Sequence, residues 1–172
     1  IVNNLDGDSA FNVLTTVESN DLDVALTLDT RLSDLHGGAG LDLGSINVVV
    51  QDGATTVSRT VDLTFAETTA DVKTIIEDAF AGQPITVTVD VDPLSRSGLR
   101  LTPSSGTVAV SDIAGSRVAR DLGIASAATA QISGKNVNPV ISIHNRLADL
   151  NGGAGVGAAP GTGLLIRNGD KS

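Results

Sequence analysis

The chain has 172 residues, a formal net charge of −9 and a pI near 4.4, a length that suits one domain with its own core. It contains no Cys, Met, Trp or Tyr and only three Phe, at Phe11, Phe65 and Phe80, which removes disulfides, thiolate metal sites and Cys nucleophiles and leaves Val, Ile, Leu and Ala to build the interior. Lys and Arg are scattered singly through an acidic chain, so no nucleic acid partner is expected, and no apolar run approaches the roughly 18 residues of a membrane span, so no membrane insertion is expected.

A chain that lacks Met and begins at Ile1 reads as a piece of a longer protein. Near its start, Asp6-Gly7-Asp8-Ser9 opens like a calcium loop of the EF-hand type, but no Glu stands at the twelfth position from either Asp, so a solvated turn is the reading. Thr30 to Leu35 reads as a short helical turn: Thr30 can cap it, Leu32 and Leu35 share a face, and Gly37 can close it in the left-handed conformation. Ile46, Val48 and Val50 alternate as a half-buried strand, Asp52-Gly53 signals a turn, and Val61, Leu63 and Phe65 alternate again, which together predict a hairpin.

Thr68-Thr69-Ala70-Asp71 has capping-box spacing with Asp in place of Glu, and Val72, Ile75, Ile76, Ala79 and Phe80 follow at helical spacing. Ile85, Val87, Val89 and Val91 then alternate as a third strand. Leu99 to Thr102 and Thr107 to Val110 supply two more, separated by a Pro103 to Gly106 turn. Ser116 to Leu122 reads as a helical turn ending at Gly123, followed by an Ala/Ser/Thr stretch leading onward. The expected fold class is α+β: a small, mostly antiparallel sheet packed on one main helix in a β-β-α-β-β-β unit, with flanking strands and short helical turns from neighbouring tandem repeats. The helix is expected to lay its apolar stripe of Val72, Ile75, Ile76, Ala79 and Phe80 over a single sheet face formed by Ile46, Val48, Val50, Val61, Leu63, Ile85, Val87 and Val89.

The repeat expectation rests on one internal match. Leu28-Asp29-Thr30-Arg31-Leu32-Ser33-Asp34-Leu35-His36-Gly37-Gly38-Ala39-Gly40 returns as Ile143-His144-Asn145-Arg146-Leu147-Ala148-Asp149-Leu150-Asn151-Gly152-Gly153-Ala154-Gly155, 115 residues later, and Val50-Gln51-Asp52-Gly53 is echoed by Ile166-Arg167-Asn168-Gly169. A period this long exceeds that of solenoids, so each unit is expected to be a small domain: 1–29 the tail of a preceding repeat, 30–144 a complete one, 145–172 the start of the next.

Candidate sites are few. Gly37-Gly38-Ala39-Gly40-Leu41-Asp42 matches the opening of a calcium-binding glycine-rich nonapeptide, but the second copy, Gly152 to Gly157, lacks the Asp, so the glycines read as turn formers. Asp90 and Asp92 stand two apart on a predicted strand and so share a face; they are placed on its polar, solvated side. His36 and His144, the only imidazoles, fall out of repeat register with each other. No nucleophile elbow, P-loop or H-E-x-x-H motif occurs. No catalytic, cofactor-binding or metal-binding residue is assigned, no cofactor is expected, and the chain is not expected to be an enzyme.

The run from Ser45-Ile46-Asn47-Val48 through Ala70-Asp71-Val72-Lys73-Thr74-Ile75-Ile76 to Leu99-Arg100-Leu101-Thr102 resembles the "IN" motif repeats in the outer domains of flagellins and flagellar hook-associated proteins, with Arg31 to Leu35 and Arg120 to Ile124 similar to the linkers between such repeats. That resemblance implies a structural component of the bacterial flagellum: an extracellular, solvent-exposed outer domain of a hook-associated (junction) protein or flagellin. Its partners would be other flagellar axial proteins, engaged through parts of the parent chain not present here, and the piece itself would be monomeric. The alternative reading is a repeat module of a secreted adhesin, binding calcium or a surface glycan through its glycine and aspartate loops.

Overall fold

The computed structural model describes residues 23–113 and 115–155. The Asp6 to Ser9 turn, Phe11 and the echo at Ile166 to Gly169 lie outside these residues.

Strand β1 (Ser45–Asp52) and strand β2 (Thr55–Asp62) form the expected hairpin, with Ile46 opposite Val61 and Val50 opposite Val57. Ile46, Val48 and Val50 are fully buried, as alternation on a one-sided strand requires. The second strand stops three residues earlier than its pattern suggests. The Asp62 carboxylate accepts hydrogen bonds from both the backbone N–H and the hydroxyl of Thr64, a local Asx turn that competes with the sheet ladder. Phe65 therefore leaves the sheet and is 88% exposed.

Helix α1 (Thr69–Ala79) begins at a reciprocal capping box: the Asp71 N–H donates to Thr68 Oγ1 at 3.2 Å and the Thr68 N–H donates to Asp71 Oδ2 at 2.9 Å. Two N–H groups that would otherwise lack partners are thereby satisfied. Val72 and Ile76 are buried on its inner face, and Phe80, just past its last turn, is fully buried.

The expectation of one sheet on one helix in a repeat-based β-β-α-β-β-β unit is corrected by the strand pairing. Strand β3 (Val87–Val91), strand β4 (Leu99–Pro103) and strand β7 (Ile132–Ser133) form a sheet of order β3-β4-β7. Strand β5 (Thr107–Asp112) instead joins β1, and strand β6 (Ser126–Thr129) extends that second sheet to the order β2-β1-β5-β6. All pairings are antiparallel. Pro103 to Gly106 is thus a crossing between sheets rather than a hairpin turn. Gly106, at φ +72, lies so close to β1 that a Cβ there would come 2.0 Å from the Gln51 carbonyl oxygen, at the point where the chain passes from the central strand of one sheet to an inner strand of the other. The Ala/Ser/Thr stretch after helical turn α2 (Val118–Asp121) is likewise strand, not linker: β6 has little apolar periodicity, and its pairing to β5 supplies its order.

One core cluster draws on both sheets and the helix. It joins Ile46, Val48 and Val110 to Val89, Leu101 and Ile132, with Ile76 and Phe80 among them. The described residues form a small α+β domain of two antiparallel sheets, one principal helix and isolated helical turns.

Candidate functional site

The two copies of the glycine-loop motif meet at one end of the domain. In the first, Leu32–Asp34 forms a 3-10 turn, followed by a second turn at His36–Gly38. Thr30 does not cap the first turn from its N-terminus; its Oγ1 instead accepts the N–H of Thr27 at 2.9 Å. In the second copy, Leu147–Asp149 and Leu150–Gly153 repeat the path.

The agreement extends to single torsions. His36, Gly37, Gly38 and Gly40 have φ of 54°, 70°, 85° and 72°, and their counterparts Asn151, Gly152, Gly153 and Gly155 have 56°, 61°, 80° and 78°. Three glycines and one His or Asn supply a run of left-handed residues that β-branched side chains would resist. Local bonds repeat too: Ser142 N–H donates to Asn145 Oδ1 at 2.6 Å as Thr27 N–H does to Thr30 Oγ1, and Gly40 and Gly155 N–H donate to the carbonyls of Leu35 and Leu150.

The copies also hold each other. Val140 N–H donates to the Asp34 carbonyl at 2.8 Å, and Ala25 N–H donates to the Asp149 carbonyl at 2.7 Å; Gly37 N–H donates to Asn138 and Gly152 N–H to Asp23, at 2.9 and 2.7 Å. In the 115-residue register, Ala25 corresponds to Val140 and Asp34 to Asp149. The four bonds are therefore two pairs related by exchange of the copies, a pseudo-two-fold clamp. Between the copies lies a polar cavity of about 200 Å³, lined by Asp29, Asp34, His144, Arg146 and Asp149 with the hydroxyl residues Thr27 and Ser142.

The other candidate residues fall elsewhere and do not converge. Asp90, at the rim of β3, pairs with Lys73 Nζ at 3.3 Å. Asp92 is not on a solvated strand face: it is 4% exposed, and its carboxylate accepts the N–H of Leu94 at 2.9 Å and of Ser95 at 3.5 Å, shaping the loop to β4. The Leu94 N–H bond holds its pKa below the ordinary Asp value against the opposing effect of burial. His36 Nε2–H donates to the Asp121 carbonyl at 2.7 Å, far from His144 in role. Among the described residues no group of three or more His, Asp or Glu side chains comes together to hold a metal ion. Sequence reasoning found the motif but not the clamp. The clamp is made by the backbone carbonyls of Asp34 and Asp149, not by their carboxylates, and so leaves no residue signal in the sequence.

Fold and site define a small α+β domain closed by a pair of like loops. No family model, curated protein or solved structure matches the chain. The resemblance to flagellins and hook-associated proteins is corrected accordingly, and with it the flagellar, hook-associated and tandem-repeat descriptions. Its key residues, Ile46-Asn47 and Leu99-Arg100-Leu101-Thr102, lie in different sheets and have the alternation that any half-buried strand produces. Among the described residues the internal likeness runs over 23–40 and 138–155.

Proposed function

We propose that this domain is a non-catalytic structural module of an extracellular protein of the adhesin kind, acting through the contacts of its folded surface. The observation that carries this reading is the way its well-bonded charged groups are used. Asp71 accepts the N–H groups of Glu67 and Thr68; Glu77 accepts the N–H of Val89 beside Lys73; Asp112 accepts the N–H of Ala119 and the Arg120 guanidinium at 2.7 Å. Each holds backbone in place. The one hydroxyl beside them among the described residues, Thr68 Oγ1, donates to Asp71 at 2.9 Å and accepts the Asp71 N–H, so it is engaged in capping the helix.

The polar lining of the cavity between the motifs favours a second reading, in which it takes one saccharide unit through Asp34, Arg146 and Asp149. At about 200 Å³ it is smaller than the ~300–1,000 Å³ of typical small-molecule sites. The two readings separate in one experiment: the chain is immobilised, offered a panel of glycans, with and without calcium, and assayed against general hydrolase and transferase substrates. The structural reading expects no turnover and no glycan retention that depends on Asp34 or Arg146. Turnover lost in Asp34→Ala would overturn it, and glycan retention lost in Arg146→Ala would replace it with the second.

A further inference from the structure

The two motif copies differ on their outer face. In the first, Leu26 is 2% and Leu32 3% exposed and Leu28 is half-buried; their register counterparts Ile141, Leu147 and Ile143 are 54%, 70% and 96% exposed. Over Leu28 and Leu32 the cover on the first copy is the segment Glu67 to Ala70, the capped start of α1, while the Leu26 N–H donates to the Arg96 carbonyl at 2.7 Å. Leu32 N–H donates to the Glu67 carbonyl at 2.9 Å, Thr69 N–H to the Thr30 carbonyl at 3.0 Å and Ala70 N–H to the Leu28 carbonyl at 2.9 Å, while the Thr69 hydroxyl donates to the Thr27 carbonyl.

The second copy presents the same groups in the same backbone. Among the described residues, Leu147 N–H and the carbonyls of Ile143 and Asn145 have no backbone partner. The row is continuous with an existing interface, since Val140, next to Ile141, already bonds Asp34 in the clamp.

We propose that Ile141, Ile143 and Leu147 form a docking surface for the N-terminal turn of a helix presented by another polypeptide segment, of the chemistry that Glu67 to Ala70 offers the first copy. Three features define that partner. It carries one backbone carbonyl for Leu147 N–H. It carries free N–H groups at its first two helical positions, whose partial positive charge suits the carbonyls of Ile143 and Asn145. It carries a hydroxyl side chain at the first helical position, as Thr69 does, with apolar surface behind it to cover the exposed row. This surface lies on the outer side of the motif, not in the polar cavity, and the proposal goes beyond the structural reading without resting on a saccharide.

The probe is a synthetic peptide with the sequence Ala66 to Ala81, acetylated and amidated. A lactam from Thr74→Lys to Asp78, both exposed positions on α1, is added because so short a helix is marginal alone. It is titrated into the 15N-labelled 172-residue chain. The expected result is saturable amide shifts centred on 141–147, weakened about tenfold or more in the Ile143→Asp/Leu147→Asp variant and also by Thr69→Val in the peptide. Because both residues are exposed, the variant's core amide spectrum should be unchanged, which separates loss of binding from loss of fold. Absence of saturable shifts, shifts centred on 26–32, or shifts that persist in the variant would overturn the proposal. So would concentration-dependent self-association through the same residues, which would make the occupant a second copy.

Discussion

Leu32 and Leu147 occupy the same place in two copies of one backbone turn, yet one is 3% exposed and the other 70%. Between the copies the left-handed residues, the internal turn bonds and the reciprocal clamp agree; the outer face does not. The turn is therefore set by its own residues and by its twin, while its burial is set by what lies against it. A local conformation can be specified twice and stabilised by tertiary packing only once.

The largest expected effect tests that asymmetry. Leu32→Ala should cost about 2–5 kcal/mol, as buried Leu truncations do, whereas Leu147→Ala should stay within about 0.5 kcal/mol; urea melts of the two variants measure the difference. Equal losses would mean that the second copy is covered as well. Next in size is the feature the copies share. Gly37→Ala and Gly152→Ala each force a side chain to φ of 70° and 61°, with no side-chain or backbone atom nearer than 3.7 Å, so each should lose about 1–2 kcal/mol from backbone conformation alone. The two melts should shift alike, and a loss at Gly37 only would break the equivalence.

Smaller still is the cap that covers only the first copy. Thr68→Ala should cost about 1 kcal/mol, and hydrogen exchange should show Leu32 loosened with Leu147 unaffected. Acid acts at the same place. The Glu67 and Thr68 N–H bonds hold the Asp71 pKa below its ordinary value; at Asp112, burial works to raise it, but the Arg120 and Ala119 hydrogen bonds prevail and leave it lowered; Asp92 is lowered as well. Groups with depressed folded-state values add stability that is present above their unfolded pKa, about 4, and is lost as pH falls through that value toward the folded one. Urea midpoints should therefore drop below about pH 4, and less steeply in Asp71→Asn. The smallest effect belongs to Asp42, exposed beyond the first glycine loop: Asp42→Ala should change stability by less than about 0.5 kcal/mol, with calcium making no difference.

How much of this was legible in the sequence depended on whether the determining contacts were local. The capped helix was readable because Thr68, Asp71 and the apolar residues Val72 and Ile76 act within a few positions of one another. The left-handed run was readable from Gly37, Gly38 and Gly40. What failed was partner choice. Leu99 to Thr102 and Thr107 to Val110 follow one another like neighbouring strands, yet the first pairs with β3 and β7 and the second with β1 and β6, with Gly106 allowing the close pass by Gln51. Alternation fixes which face of a strand is buried, not which strand lies beside it. The strands at Ser126–Thr129 and Ile132–Ser133 were invisible because their order comes from pairing to β5 and β4 rather than from their own apolar pattern. The clamp was hidden for a different reason: its acceptors are backbone carbonyls, which carry no residue signature.

Native-state hydrogen exchange on the amides of Ala25, Gly37, Val140 and Gly152 tests the reciprocal clamp most directly, because these are its four donors. If the copies hold each other, all four open in one cooperative step with a common free energy, while the Leu147 amide exchanges as an open one. Protection at Val140 and Gly37 with fast exchange at Ala25 and Gly152 would contradict the account, since the second copy would then fray on its own and the pairing would be one-sided.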